Sequence, residues 1–159
     1  MGLDMYLYLR KEEYTSKSEF RNKDVKNLYP SELKGFEEDI LNRNFASRSI
    51  KTDYQVGYWR KANAIHKWFV DNCADGEDNC APVYVPVAKL KELRNLCSRV
   101  LQNKDKANEL LQTEEGFFFG TTDYDEWYFR DLEYTVRLLD KVITFVDGSE
   151  YEVIYQASW

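Results

Sequence analysis

The segment 57–69, Gly-Tyr-Trp-Arg-Lys-Ala-Asn-Ala-Ile-His-Lys-Trp-Phe, combines the residue types that bind an anionic ligand. Arg60 and Lys61 supply positive charge, and Tyr58 and Trp59 place aromatic rings beside them. Apolar residues recur at helical steps from Tyr58, which predicts a helix with both cations in its first turn. Cations are disfavoured there because the helix N-terminus already carries partial positive charge. We therefore interpret the segment as a site for a phosphate or nucleotide.

Asn63 and His66 follow on the same predicted helix and are candidates to hydrogen-bond the rest of such a ligand. The alternative is that Arg60 and Lys61 pair with acidic residues or point into solvent. His66 is the only histidine, so a hydrolase would have to use it as its general base. The alternative for His66 is a structural role, hydrogen-bonded to Asn63 or to a neighbouring element.

The spacing of possible metal ligands does not predict a metal site. His66, Cys73 and Cys80 are each seven residues apart, and the sequence contains no Cys-x-x-Cys pair. Asp71 begins a stretch that imitates a calcium loop, but Cys73 and Pro82 occupy two ligand positions that need oxygen. We expect no metal, no cofactor and no assigned catalytic residue.

A second cluster, 117–129, is rich in aromatic and acidic residues. Asp123 with Glu126 three residues later is typical of a helix start. More aromatic rings surround this start than one buried stripe needs, which predicts that some of them face a partner or pocket. The alternative is a large aromatic core beside a solvated acidic turn. The candidate partner surface comprises Tyr124, Asp125, Glu126, Trp127 and Tyr128.

These clusters must be positioned by a small set of strands and helices. Residues 11–29 are charged and without pattern, which predicts a mobile surface excursion, and Ser31 is the predicted N-cap of the helix that follows. The pattern predicts a single α+β domain over 1–159, with a small mixed or antiparallel sheet that includes both termini. About five short strands pack against about four helices. The predicted strands are 2–10, 50–56, 83–85, 116–120 and 151–156, and the predicted helices are 31–45 and those beginning at Tyr58, Pro86 and Asp123.

Composition and charge limit the classes of partner. The chain has 159 residues, 43% hydrophobic and 16% aromatic, which is enough apolar material for one folded domain. Its formal net charge of −6 argues against a reader of duplex DNA. The charge is uneven, because residues 1–70 carry 13 basic and 10 acidic side chains, whereas the remainder carries 9 and 18.

The sequence also bears on the location of the protein. No apolar run approaches the roughly 20 residues of a membrane helix, and the first residues lack the positive region of a signal peptide. The 3 cysteines are too few and odd in number for a disulfide framework. We expect free thiols, a cytoplasmic location and no membrane partner. The sequence leaves the oligomeric state open.

Four segments resemble a family of small proteins encoded by bacteriophages and prophages. They are the opening Met-Gly-Leu-Asp-Met-Tyr-Leu, the central Val-Gly-Tyr-Trp-Arg-Lys-Ala-Asn, the block from Phe-Phe-Phe-Gly to Tyr-Asp-Glu-Trp-Tyr, and the closing 155–159. The resemblance covers most of the chain apart from 11–48. It implies a viral protein in the cytosol of an infected host, and it implies no particular activity, cofactor or catalytic residue.

Three functions are compatible with these observations. The first expectation is a phage-encoded, non-catalytic binding protein that sequesters an anionic, nucleotide-derived host defence signal. The second is a protein inhibitor of a host defence complex that acts through the acidic and aromatic surface. The third is a metal-independent hydrolase that uses His66 as its base.

Overall fold

The computed structural model describes residues 2–16, 33 and 47–159. Its strands and helices alternate irregularly along the chain. In order they are β1 (Asp4–Ser16), β2 (Ser47–Arg60), α1 (Asn63–Cys73), β3 (Val83–Tyr84), α2 (Val87–Gln102), a 3₁₀ turn (Lys104–Lys106), α3 (Ala107–Leu110), α4 (Glu126–Val146) and β4 (Glu152–Ser158).

The described strands form one antiparallel sheet in the order β2-β1-β4-β3. β1 pairs with β4 from Asp4 opposite Ser158 to Arg10 opposite Glu152, so the first and last strands lie side by side at its centre. The predicted α+β class is confirmed, with four strands among the described residues where five were predicted. The strand expected at 116–120 is a turn, in which the Phe119 N–H donates to the Gly116 carbonyl at 3.1 Å, while the Phe118 carbonyl accepts from the Leu3 N–H at 3.0 Å.

The core lies between one face of this sheet and the helices. Alternation along β1 buries its apolar residues on that face, because successive side chains of a strand point to opposite sides. α2 contributes an apolar stripe at helical spacing, as its sequence predicts. The buried apolar residues of these two elements, with Leu3 immediately before β1, are Leu3, Met5, Leu7, Leu9, Leu90, Leu93, Cys97 and Val100.

The helix predicted to begin at Tyr58 begins five residues later, at Asn63. β2 continues through Arg60, with Trp59 buried and Tyr58 and Arg60 exposed, a period of two rather than 3.6. The Lys61 N–H then donates to the Leu3 carbonyl at 2.8 Å, and Lys61 adopts the left-handed conformation that ends the strand. The expectation that both cations lie in a first helical turn is therefore wrong.

The start of α4 also differs from its prediction. Asp125 is the N-cap, and its carboxylate accepts from the Tyr128 N–H at 3.0 Å, so the helix begins at Glu126 rather than at Asp123. Asp123 instead accepts from the Thr121 hydroxyl at 2.7 Å. The three-residue spacing of Asp123 and Glu126 resembles a capping sequence, but it is the Asp125 side chain that accepts from a free N–H of the first helical turn.

Contacts divide the chain into two compact units, 1–10 with 53–159, and 11–52. In the second unit, the Lys51 ammonium lies 3.6 Å from the Glu12 carboxylate.

Residues 11–16 belong to β1 rather than to a patternless excursion, whereas the rest of 11–29 and most of the helix predicted at 31–45 lie outside the described residues. The extent of the domain, 1–159, stays a prediction. Within the described ranges, no helix has both the length and the apolar character needed to cross a bilayer.

Candidate functional site

A cavity of about 260 Å³ lies in the first unit, between the β2–α1 junction and the start of α4. One wall is formed by residues 60–65, and the other by Thr113, residues of the loop before α4, and the first two turns of α4. The two clusters identified in the sequence, 57–69 and 117–129, therefore contribute to the same cavity.

The N-terminus of α1 faces this cavity without a cap. Ala62 occupies the N-cap position and offers no side-chain acceptor, and the first turn contains no acidic residue. Ala64 and Ile65 line the cavity as the second and third residues of the helix. Their N–H groups have no acceptor within the helix, because the first N–H groups of any α-helix lack one. This wall therefore presents backbone donors and the positive end of a helix dipole.

Two cations flank that helix start. The Arg60 side chain is 63% exposed, and its Nε lies 3.9 Å from an Asp4 oxygen, a distance at which the ion pair is weak. Lys61 is exposed and forms no ion pair with any carboxylate of the described residues. Its stem packs beside Gly120, where an added Cβ would lie 3.1 Å from the Lys61 Cβ and where φ is +88°. Glycine at position 120 thus lets the opposite wall approach Lys61 closely.

Asn63 joins the two walls. It is the first residue of α1 and is 3% exposed. Its amide nitrogen donates to the carbonyl oxygens of Phe119, at 3.1 Å, and Thr121, at 2.8 Å. Its amide oxygen accepts from the Glu114 N–H at 3.2 Å. Both ends of the amide are committed to holding the loop, so Asn63 shapes the cavity through these bonds.

The opposite wall carries three carboxylates, those of Asp123, Asp125 and Asp131. Burial, and secondarily the charge of Asp125, raises the pKa of the Asp131 carboxyl from its ordinary value of 3.8 to about 6. The cavity therefore combines cations and backbone donors on one side with acceptors on the other. Such a combination is chemically complementary to a molecule that carries both an anionic group and hydrogen-bond donors.

The aromatic residues at the start of α4 divide between surface and core. Trp127 lines the cavity, is 69% exposed, and has the Arg130 guanidinium 5.1 Å from its ring centroid. Tyr128 is buried and donates its hydroxyl to the Leu111 carbonyl at 2.7 Å, and burial raises its pKa. The half-buried Tyr124 accepts from the Thr113 N–H at 3.4 Å. Of the predicted partner surface, Trp127 and Glu126 are the exposed members.

Of the six predicted ligand-binding residues, Arg60, Lys61 and Asn63 line the cavity, whereas Tyr58, Trp59 and His66 do not. Trp59 is 2% exposed and donates its indole N–H to Thr135 Oγ1 at 2.9 Å, so its ring is not accessible for stacking. Tyr58 is exposed and donates its hydroxyl to Asp4, which raises the Tyr58 pKa.

His66 is 1% exposed and uses both ring nitrogens within the fold. Nδ1 lies 2.7 Å from the Tyr155 hydroxyl, and Nε2 lies 3.0 Å from an Asp78 oxygen. The other Asp78 oxygen accepts from the Trp159 indole at 3.1 Å. A general base must reach its substrate, so this geometry favours the structural role, through Tyr155 and Asp78 rather than Asn63.

Two cysteine thiols of the described residues lie in surroundings that disfavour the thiolate. Burial raises the pKa of Cys73 to about 11 and that of Cys97 to about 12, which keeps both thiols protonated at neutral pH. Within the ranges that the structure describes, no three His, Cys, Asp or Glu side chains are grouped to hold a metal ion.

Asp131 was missed by reasoning from the sequence. It lies on α4 between Tyr128 and Thr135, both of which are buried, so helical spacing places a carboxylate close to the buried face. That signal is visible in the sequence. The bonds from Asn63 to residues more than fifty positions away leave no comparable local signal.

No protein-family model matches the chain, and no curated protein or solved structure matches it either. The fold and the site define an α+β protein with a small cavity of mixed charge at the start of two helices. Its function must therefore be inferred from this cavity.

Proposed function

We propose that the protein binds a small, anionic, nucleotide-derived ligand in this cavity and does not convert it. The observation that supports the proposal is that one cavity is lined by two cations, an uncapped helix N-terminus and an accessible indole ring. An uncapped helix start with nearby cations favours a phosphate, and an exposed aromatic ring favours a base.

Each wall would contribute a different part of the binding. Lys61, Arg60 and the N–H groups of Ala64 and Ile65 would hold the phosphate, and Trp127 would stack on the base, a role first expected of Tyr58 and Trp59. The volume of about 260 Å³ lies just below the roughly 300–1,000 Å³ of most small-molecule sites. The enclosed part of the ligand is therefore about one nucleotide in size.

The resemblance to phage proteins suggests why such binding would be useful. In an infected cell, a protein that captures a nucleotide signal lowers its free concentration and so weakens the response that depends on it. Capture requires affinity but no turnover, in agreement with the location of His66 and of Cys97 away from the cavity.

Calorimetry with a panel of nucleoside monophosphates tests the proposal. We expect salt-sensitive binding that weakens about tenfold or more in Lys61→Gln and in Arg60→Gln, because a hydrogen bond to a charged group contributes about 1.5–3 kcal/mol. Lys91→Gln is the matched control, because Lys91 is an exposed cation of α2 outside the cavity. The bound nucleotide should be recovered unchanged. Absence of binding to every member of the panel would contradict the proposal.

A second candidate, binding to a host protein, is favoured by the exposed aromatic residues. Phe117 is 96% exposed in the turn before α4, and Trp127 is also largely exposed. Large aromatic residues dominate the energetics of many interfaces. This candidate predicts one stoichiometric host partner in a pull-down, lost on Phe117→Ser or on Glu126→Lys. Recovery of the same partner by both variants would exclude this surface.

A further inference from the structure

We infer that the base of the ligand is guanine, and that the Asp131 carboxylate accepts hydrogen bonds from its Watson–Crick edge. This inference rests on the proposed function and specifies the ligand class. It depends on three features of the cavity: the hydrogen bonds its carboxylates already make, the position of Asp131 relative to Trp127, and the distribution of charge between its two walls.

Among the three carboxylates that line the cavity, Asp131 is the one with neither oxygen hydrogen-bonded to a described residue. Asp123 accepts from the Thr121 hydroxyl, and Asp125 accepts from the Tyr128 N–H. Asp131 is half-buried and makes no side-chain hydrogen bond or ion pair with the residues that the structure describes. A carboxylate partly removed from water is costly without donors, so this site is stabilised by a ligand that supplies them.

The position of Asp131 suits the edge of a stacked base. Trp127 and Asp131 are four residues apart on α4 and both line the cavity. Side chains at this spacing are neighbours on one face of a helix. A base stacked on the Trp127 ring would therefore have one edge beside the Asp131 carboxylate.

Guanine is the base that matches this acceptor. Its N1–H and its exocyclic amine are adjacent donors, and an ionised carboxylate offers two acceptor oxygens that receive parallel donors. Adenine presents one donor beside an acceptor, and hypoxanthine lacks the amine. Xanthine replaces the amine with a carbonyl, which a carboxylate repels. The cations of the opposite wall would hold the phosphate, so the two charges of the cavity fix one orientation of the ligand.

Calorimetry of the full chain with GMP, IMP, AMP and XMP, in wild type and Asp131→Asn, tests the inference. We expect wild type to bind GMP the most tightly. In Asp131→Asn, we expect GMP affinity to fall roughly tenfold to a hundredfold and XMP affinity to rise. A carboxamide can donate to the xanthine carbonyl while it accepts from N1–H, which explains the expected switch. Glu133→Gln is the matched control, because it removes an exposed carboxylate of the same helix that does not line the cavity, and it should keep the wild-type preference.

The outcomes separate this inference from the proposed function. If the four nucleotides bind wild type equally, or if Asp131→Asn keeps the preference for GMP, the inference is overturned while capture of nucleotides stands. If none of the four binds wild type, both are overturned. Thermal unfolding of Asp131→Asn should show a folded protein at least as stable as wild type, so a loss of GMP binding would report on the ligand contact.

Discussion

Two helices begin at the cavity, and their starts are built differently. α4 begins at an Asp125 cap with Glu126 in its first turn, whereas α1 begins at Ala62 with no side-chain cap and no acid. A capping side chain contributes about 1 kcal/mol, so α1 lacks a stabilisation that α4 has. The first residues of α1 are buried, and tertiary packing holds them in place of a cap. The start of α1 is therefore the one that our proposal assigns to the phosphate.

Asn63 couples the two helix starts, and its removal is expected to have the largest effect. Asn63→Ala would leave the Phe119 and Thr121 carbonyls and the Glu114 N–H without their partner. We expect the free energy of unfolding, measured by urea denaturation, to fall by roughly 2–4 kcal/mol. The loop at 113–122 should also become sensitive to proteolysis under native conditions.

Asn72→Ala is the control for this prediction. Asn72 is an exposed asparagine of the same helix, with one hydrogen bond to the Trp68 carbonyl at 2.9 Å. We expect a loss below about 0.5 kcal/mol. Equal losses in the two variants would show that Asn63 does not hold the loop.

Asp131→Asn should stabilise the protein at neutral pH. The folded protein holds the Asp131 proton up to a pKa of about 6, above the ordinary 3.8, so ionisation of the carboxyl opposes folding. Relative to the asparagine variant, wild type should lose stability as pH rises from about 4 to about 6, and the difference should then remain constant. We expect the variant to be more stable by about 1–3 kcal/mol at pH 7 and equal to wild type below pH 4.

Denaturation in urea across this pH range measures the effect. Asp123→Asn serves as the control, because Asp123 is exposed and accepts from Thr121. A difference between wild type and Asp131→Asn that does not change with pH would mean that the Asp131 carboxyl titrates normally.

Removing the cap of α4 should make its start resemble that of α1. We expect Asp125→Ala to lower the free energy of unfolding by about 0.5–2 kcal/mol, whereas Asp125→Ser should retain most of the stability because a hydroxyl also caps. Asp123→Ala tests the helix start predicted from the sequence and should have a smaller effect, because the Asp125 side chain is the one that accepts from Tyr128. A larger loss in Asp123→Ala would reverse this assignment.

Local pattern alone predicted several elements correctly. The stripe of Leu90, Leu93, Cys97 and Val100 on α2 is buried as its period requires, and alternation identified the central strands β1 and β4. Around Tyr58 the same reasoning failed, because residues of β2 and α1 together imitate one helical period. The strand is prolonged by the hydrogen bond from the Lys61 N–H to the carbonyl of Leu3, and Leu3 is distant from Lys61 in sequence.

The sequence by itself determined the α+β class, the buried stripes, and the presence of two clusters rich in charge and aromatic rings. Only the tertiary structure decided that these clusters share a cavity, that Trp127 rather than Trp59 is accessible there, and that Asp131 lies among them. The physical reason is the separation in sequence over which each kind of interaction acts. Periodicity expresses which face of an element is buried, whereas hydrogen bonds such as those of Asn63 depend on residues more than fifty positions away.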